Sequence, residues 1–508
     1  MSEARTEPVP ERRLHPWSWL FVLIQQLKQF ILPLIALLFF GSRANDDGPW
    51  WTSIAPLIAI GVLAVASLLR YFTYRYRIGS DVLSIRDGWL QRSLREIPFA
   101  RIHNVVVHQS LLHRMFGVAE VRLESAGGRK PEAQMQVLRL DEALALERQV
   151  RQRGHAIAPL PDAADAGATA PTGDTLLDLP FGEVIRLGLV SNRGLIVAAA
   201  AFGGAWQLFP RKLMANFIEN LVQRTSGYID QLHLGLLSTG LAVLALLALA
   251  ALLLRGLSVL LALLQYHGFR LSEAERRLTV ERGLLARLRT SVARRRVQAW
   301  TLQEGVLHRL LKRRSLRIDT AVAEQGRNDQ RTLKELAPIA TPEACDALVR
   351  HLLPQAQWPR AQWRKVNPGH WWRLCLVTAV WVPLAALSAS WQFGAWGLLP
   401  LLWLPWAAFK ARRRVQRMGW SVDDRLVAVR GGWWTRWWRF AELDKLQALR
   451  LERGPIDRRC GTASLWLDTA GANAATAPSL RLQFVPLAEA QALYAELSRT
   501  LARRRLRW

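Results

Sequence analysis

Two hydrophobic rhythms alternate along this 508-residue chain. Long, nearly unbroken apolar runs occur at 17–40, 50–69, 187–209, 233–254, 371–391 and 393–409. Most have about the 20 residues that a helix needs to cross a hydrocarbon layer roughly 30 Å thick. Between the pairs of runs the pattern changes to a period of two, as in Tyr74-Arg75-Tyr76-Arg77-Ile78 and Val121-Arg122-Leu123, the mark of half-buried strands. Each alternating region closes on a helical spacing: 140–150, a stretch from Thr341-Pro342-Glu343 with a capping residue and an N1 proline, and 486–499. The pattern predicts a multi-pass α-helical membrane protein with six spans and three small cytoplasmic β-barrel domains. The expected division is membrane pairs at 17–70, 181–266 and 371–409, lobes at 71–154, 267–353 and 410–502, and a flexible linker at 155–180 rich in Ala, Pro, Gly and Asp.

The three lobes share one ruler. With Gly88, Gly283 and Gly432 as origin, thirteen residues on come Arg101-Ile102, Arg296-Val297 and Lys445-Leu446. Further along stand Ser110, Gly305 and Gly454, then Leu112, Leu307 and Ile456, then Arg114, Arg309 and Arg458. The strands Val121-x-Leu123-Glu124, Leu316-x-Ile318-Asp319 and Leu465-x-Leu467-Asp468 follow without a gap, so one unit was built three times.

Charge then fixes an orientation. The net charge is +28, and +24 of it falls in 71–158, 267–353 and 410–508. Basic segments beside apolar pairs are what the positive-inside rule expects of cytoplasmic chain, which favours a membrane surface over nucleic acid as the reason for the basicity. Arg70, Arg75 and Arg77 follow the second run, and KARRRVQR at 410–417 follows the sixth. The expected location is a bacterial inner membrane, with N- and C-termini and all lobes in the cytoplasm and no cleaved signal peptide. Cys345, Cys375 and Cys460 are far apart and offer neither a disulfide framework nor a zinc pattern.

The run Asp87-Gly88, Ile97-Pro98, Arg101-Ile102-x-Asn104-Val105, Gln109-Ser110-x-Leu112-x-Arg114, Phe116-Gly117 and Ala126-Gly127-Gly128 resembles the bacterial pleckstrin-homology (PH) domain of YdbS/YdbT-like membrane proteins. Lobe two has Glu304-Gly305 in place of Gln-Ser, and lobe three has Arg453-Gly454-Pro455. The resemblance implies PH-like lobes, each a partly open seven-stranded barrel capped by a helix and preceded by membrane helices. It implies no reaction.

Candidate chemistry is sparse. Arg114, Arg309 and Arg458 are candidate ligand or partner contacts, set against a structural role in which each closes its turn on carbonyls or on the acid of the Glu124, Asp319 and Asp468 series. Arg412, Arg413 and Arg414 are expected to touch the anionic leaflet, each cation near such a surface being worth roughly 1 kcal/mol. Gln25, Lys28 and Gln29 share a face of the first run, where polar groups serve helix packing or a transport path. His103, His108 and His113 recur at a spacing of five, poor for a shared metal. No catalytic or phosphate-binding motif appears, and no cofactor is expected. The reading is a non-enzymatic membrane scaffold that binds membrane lipids of the anionic leaflet or other proteins; the alternative is a transporter, a channel, or an accessory subunit of one.

Overall fold

The computed structural model describes residues 12–13, 15–24, much of 58–79, 82–88, 92–99, 102–125, 132–153, 174–208, short stretches of 212–224, 236–320, 333–360, 362–470 and 478–503. Within these, three repeats of seven strands appear.

In the first repeat, β1 (Arg12–Arg13), β2 (Arg75–Ile78), β3 (Val82–Asp87) and β4 (Ser93–Pro98) form an antiparallel sheet. Strands β5 (Ile102–Gln109), β6 (Val118–Ser125) and β7 (Ala133–Arg139) form a second layer, with α1 (Leu111–Met115) between β5 and β6 and α2 (Leu140–Arg153) closing the lobe. The second repeat opens with β8 (Asp174–Asp178) and passes through α3 (Phe181–Val190), α4 (Arg193–Leu208) and α5 (Leu236–Tyr266). It then makes β9 (Arg270–Ala274), β10 (Arg277–Arg282), β11 (Arg287–Ala293), β12 (Val297–Glu304), α6 (Val306–Leu310), β13 (Arg314–Thr320), β14 (Glu335–Ala340) and α7 (Pro342–Leu352). The third has β15 (Arg364–Lys365), α8 (Trp371–Phe393), α9 (Trp403–Arg417), β16 (Gly419–Val422), β17 (Leu426–Gly431), β18 (Arg436–Glu442), β19 (Leu446–Glu452), α10 (Pro455–Arg459), β20 (Thr462–Thr469), β21 (Arg481–Pro486) and α11 (Leu487–Ala502).

Each ruler mark has a physical cause. Gly88, Gly283 and Gly432 all have positive φ at the hairpin before the fourth strand of the repeat. A Cβ on Gly283 would lie 2.0 Å from the Ala286 carbonyl oxygen, and one on Gly432 1.9 Å from that of Thr435, so no side chain fits there. Ser110, Gly305 and Gly454 are N-caps of α1, α6 and α10 with nearly the same extended backbone. The register shifts at Ile102/Asn104, Val297/Ala299 and Leu446/Ala448, one bulge repeated three times. The alternating residues Leu123, Ile318 and Leu467 are buried, and each packs in a core between the facing sheets and the closing helix.

The lobes are not separate beads. Strand β5 of lobe one pairs with β11 of lobe two, and β12 of lobe two pairs with β18 of lobe three, which makes two seven-stranded sheets out of halves of neighbouring repeats. The junctions share one register: Ser291 faces Val105 in the first, and its ruler equivalent Phe440 faces Trp300, the equivalent of Val105, in the second.

The expectation of a multi-pass, six-span helical protein is corrected. The body is antiparallel sheet, and among the described residues two helical segments are long and apolar enough to cross a membrane, Gly240–Tyr266 and Pro368–Arg417. A third is reached only if the bent pair Phe181–Val190 and Arg193–Gln207 counts as one span. The run at 187–209 is interrupted by extended backbone at Ser191, where the axis turns by 54°. The run at 393–409 is split between a 3₁₀ stretch, Gly394–Leu402, and α9, whose 15 residues are too few to span alone. Hydropathy sums see apolar residues but not such breaks. The runs at 17–40 and 50–69 lie largely outside the described residues.

Candidate functional site

The most developed site is the lobe junction. Arg114, at the end of α1, donates through Nη1 to the Leu284 carbonyl at 2.7 Å. Arg309, its equivalent in α6, donates through Nη2 to the Trp434 carbonyl at 3.1 Å. In both cases the acceptor lies in the hairpin of the following lobe, so the arginine bonds a carbonyl across the boundary rather than within its own turn. Arg458, the third of the series, is exposed, and its guanidinium has no hydrogen-bond or ion-pair partner among the described residues. The recurring acids do other work. Glu124 accepts from Asn104 Nδ2 at 2.7 Å. Asp319 forms an ion pair with Arg439 of lobe three, whose guanidinium also donates to Thr301 Oγ1 at 3.0 Å. Arg439 is 2% exposed, so this cation is held inside the junction by its acid and hydroxyl partners. The closing helices strengthen each boundary: Glu147 of α2 lies 3.2 Å from Arg289 of β11, and Trp358, just after α7, stacks on Phe440 of β18.

A second cluster ties lobe two to its apolar helices. Glu335 on β14 accepts from Arg317 at 2.9 Å and from the Tyr266 hydroxyl, with Arg193 and Arg282 each 3.7 Å away. Burial opposes ionisation of Glu335, but Arg317 and the other surrounding donors win and hold its carboxyl down at about 2. Arg193 and Arg282 also stand over the Tyr266 ring, at 4.7 and 4.9 Å. Glu183, near the start of α3, is bound through both oxygens by Arg313 at 2.6 and 2.9 Å. The polar residues that interrupt the apolar runs are used at the helix break: Arg255 donates to the carbonyls of Leu189 and Ser191 and to Asn192 Oδ1, at 3.1 to 3.2 Å. Gly194 N–H donates to Ser258 Oγ at 2.8 Å, a contact that needs the glycine.

The third feature lies where α9 enters lobe three. Trp406 and Phe409 of α9 pack against Trp433 in the β17–β18 hairpin, and Trp433 packs on Trp434, which is 58% exposed. Arg412, Arg413 and Arg414 are exposed one turn further on, with the Arg413 guanidinium 5.3 Å above the Phe409 ring. Aromatic rings followed by exposed arginines are the composition of a membrane–water interface. Gln25, Lys28 and Gln29 fall outside the described residues. His108 sits 3.5 Å from Glu120, and His113 bonds Ser110 Oγ at 2.6 Å; among the described residues no group of three metal-ligating side chains converges.

With this geometry in place, the family is decided by sequence models: the bacterial PH domain model matches 22–154, 231–353 and 374–501. The chain belongs to the bacterial PH domain family. The transmembrane protein YdbT of Bacillus subtilis (strain 168) is 21% identical over 427 residues, covering 82% of this chain and 84% of that protein. No solved structure matches. The bacterial PH repeats, the apolar helices and a relative named as a transmembrane protein together identify a membrane-associated protein.

Sequence reasoning missed the Arg439–Asp319 and Glu335–Arg317 pairs. The acid series was visible as a recurring offset, but its partner in lobe three lies more than a hundred residues away. The available signal was Arg439 itself, a cation in a strand whose neighbours Phe440 and Ala441 are core residues.

Proposed function

We propose that this protein is a non-enzymatic scaffold anchored in the bacterial cytoplasmic membrane, with its three PH-like lobes on the cytoplasmic side, seated on the anionic leaflet and presenting the linked array to partner proteins. The observation that carries this reading is the aromatic cluster of Trp406, Phe409, Trp433 and Trp434 beneath the exposed Arg412, Arg413 and Arg414. The rings supply an apolar body with a polar edge at headgroup depth, and the cations supply attraction that fades within a Debye length. Leu284 and Leu285, at the matching hairpin of lobe two, are 40% and 42% exposed and sit beside the end of α5, where the Leu284 N–H donates to the Leu264 carbonyl. A hairpin tip beside a helix end thus recurs in lobes two and three, and each is a seat for the leaflet. A linked set of folded lobes there suits holding other proteins in fixed relation.

Hydrogen exchange of the full chain in nanodiscs tests the leaflet contact. Protection of 426–442 and 410–418 is expected to be stronger in anionic than in zwitterionic bilayers, and to weaken in high salt or with R412Q/R413Q/R414Q. Exchange indifferent to lipid charge overturns the leaflet contact.

A further inference from the structure

The junction between lobes is used twice within the chain, and its two halves are each left over once. Lobe one supplies β5 to lobe two, but its own β4, the equivalent of β11 and β18, pairs only with β3 among the described residues. Lobe three supplies β18 to lobe two, but its own β19, the equivalent of β5 and β12, pairs only with β20. The first and third lobes therefore each carry, among the described residues, one singly paired strand, and the two are of the kinds that pair with each other inside the chain.

From this we infer that copies of the protein associate head to tail, β19 of one copy pairing antiparallel with β4 of the next in the register of the internal junctions. That register sets Glu96 opposite Leu449 and Arg95 opposite Arg450, as Phe440 stands opposite Trp300 and Arg439 opposite Thr301. This inference does not depend on the leaflet contact proposed above.

Chemistry at the two ends fits the internal pattern. Arg95 is the ruler equivalent of Arg439, and Asp468 is the equivalent of Asp319. Inside the chain that pair closes the junction between lobes two and three. At the ends both members are exposed, Arg95 on β4 and Asp468 on β20, so each copy offers the two halves of the same ion pair on opposite extremes. Arg95 would also face Arg450, a like-charge contact that pure edge complementarity would avoid. Glu452, 2.7 Å from Arg450, offsets it and leaves Asp468 to choose the partner. Arg458 extends the pattern, because its equivalents Arg114 and Arg309 each reach into the next lobe's hairpin, whereas no hairpin meets the Arg458 guanidinium among the described residues.

The exposed edges are a second sign. Leu94, Arg95 and Glu96 of β4 are exposed, whereas the equivalents of Arg95 and Glu96, Thr290 and Ser291 in lobe two and Arg439 and Phe440 in lobe three, are buried by the neighbouring lobe. An open strand edge is a template for another strand unless it is blocked. The contact joins unlike surfaces, so repeating it gives a ring if the rotation closes and a filament if it does not.

Disulfide trapping in native membranes tests the assembly, using the full chain with C375S/C460S and Cys345 retained in the core. E96C/L449C, opposite in the proposed register, is expected to give a ladder of covalent multimers on mild oxidation, since facing Cβ atoms lie about 4.5 to 5.5 Å apart. S93C/L449C, out of register, is expected to give none. D468R is expected to abolish the ladder and R95D/D468R to restore it. Absence of inter-chain product from E96C/L449C overturns head-to-tail pairing, as does equal trapping of both pairs. A ladder unchanged by D468R overturns the Arg95–Asp468 contact.

Discussion

The Arg114 guanidinium of lobe one hydrogen-bonds the Leu284 carbonyl of lobe two, 170 residues along the chain, and Arg309 repeats the contact into lobe three. An arginine that looked like a local turn-closing residue thus serves as a strap between neighbours. A charge-assisted bond to a carbonyl contributes more than a neutral one, but solvent beside Arg114 weakens it. Arg114→Ala or Arg309→Ala is expected to cost about 1 kcal/mol and to speed proteolysis at the junction while each lobe keeps its core. Limited proteolysis read by intact mass checks this. Cleavage unchanged by either substitution would mean that strand pairing alone holds the boundary.

The buried position shared by Leu123, Ile318 and Leu467 gives a sharper stability test. Ile318 is 1% exposed between the sheets of lobe two, so Ile318→Ala is expected to lose about 2 to 5 kcal/mol through lost burial and the cavity left behind. Ile318→Asp is expected to abolish cooperative unfolding of that lobe. Denaturant unfolding of the purified full chain in detergent, followed by hydrogen exchange of β13, reads both effects.

Glu335 makes the protein acid-sensitive at one place. Its folded carboxyl titrates at about 2, below the ordinary value of 4.5, so it stabilises the fold above about pH 4.5 and loses that contribution as pH falls toward 2. The shift corresponds to about 3 kcal/mol. Glu335→Gln is expected to lower stability at neutral pH, by leaving Arg317 and its neighbours without their acid, and to flatten the stability profile between pH 4.5 and 2. Thermal unfolding across that window measures it.

Cys345 is fully buried in α7, and burial pushes its thiol up to about 12. The thiolate is the reactive form, so maleimide at pH 8.5 is expected to leave Cys345 unmodified in the folded protein and to label it after denaturation. Peptide mapping reports the site directly. Labelling in the native state would place β13 and α7 further apart than they are.

Much of the fold was legible because it depends on local chemistry. Gly283 and Gly432 are required by carbonyls within their own hairpins, and the burial of Leu123, Ile318 and Leu467 follows from alternation within one strand. What was hidden depends on distant partners. Nothing near Arg309 points to Trp434, and nothing near β5 says that its second neighbour is β11. The membrane segments show the opposite failure: composition overstated their regularity, since the break at Ser191–Asn192 is secured by Arg255 from another helix, which no window over 187–209 contains. Of the candidate site residues, Arg114, Arg309 and Arg412–Arg414 occupy describable positions on junctions and helix ends, whereas Gln25, Lys28 and Gln29 fall outside the described residues.

Strand β8 precedes the apolar helices of the second repeat and β9 follows them, yet the two are hydrogen-bonded neighbours, with Leu177 opposite Leu271. The same holds for β1 with β2 and for β15 with β16. The chain on either side of each apolar segment therefore belongs to a single sheet. For a chain emerging from the ribosome this sets an order of events: the first strand of each sheet must wait until the hydrophobic detour is accommodated and the second strand delivered. A lobe whose two flanking strands fail to meet is left with an unmated edge, and through β5 and β11 that fault passes to the lobe before it.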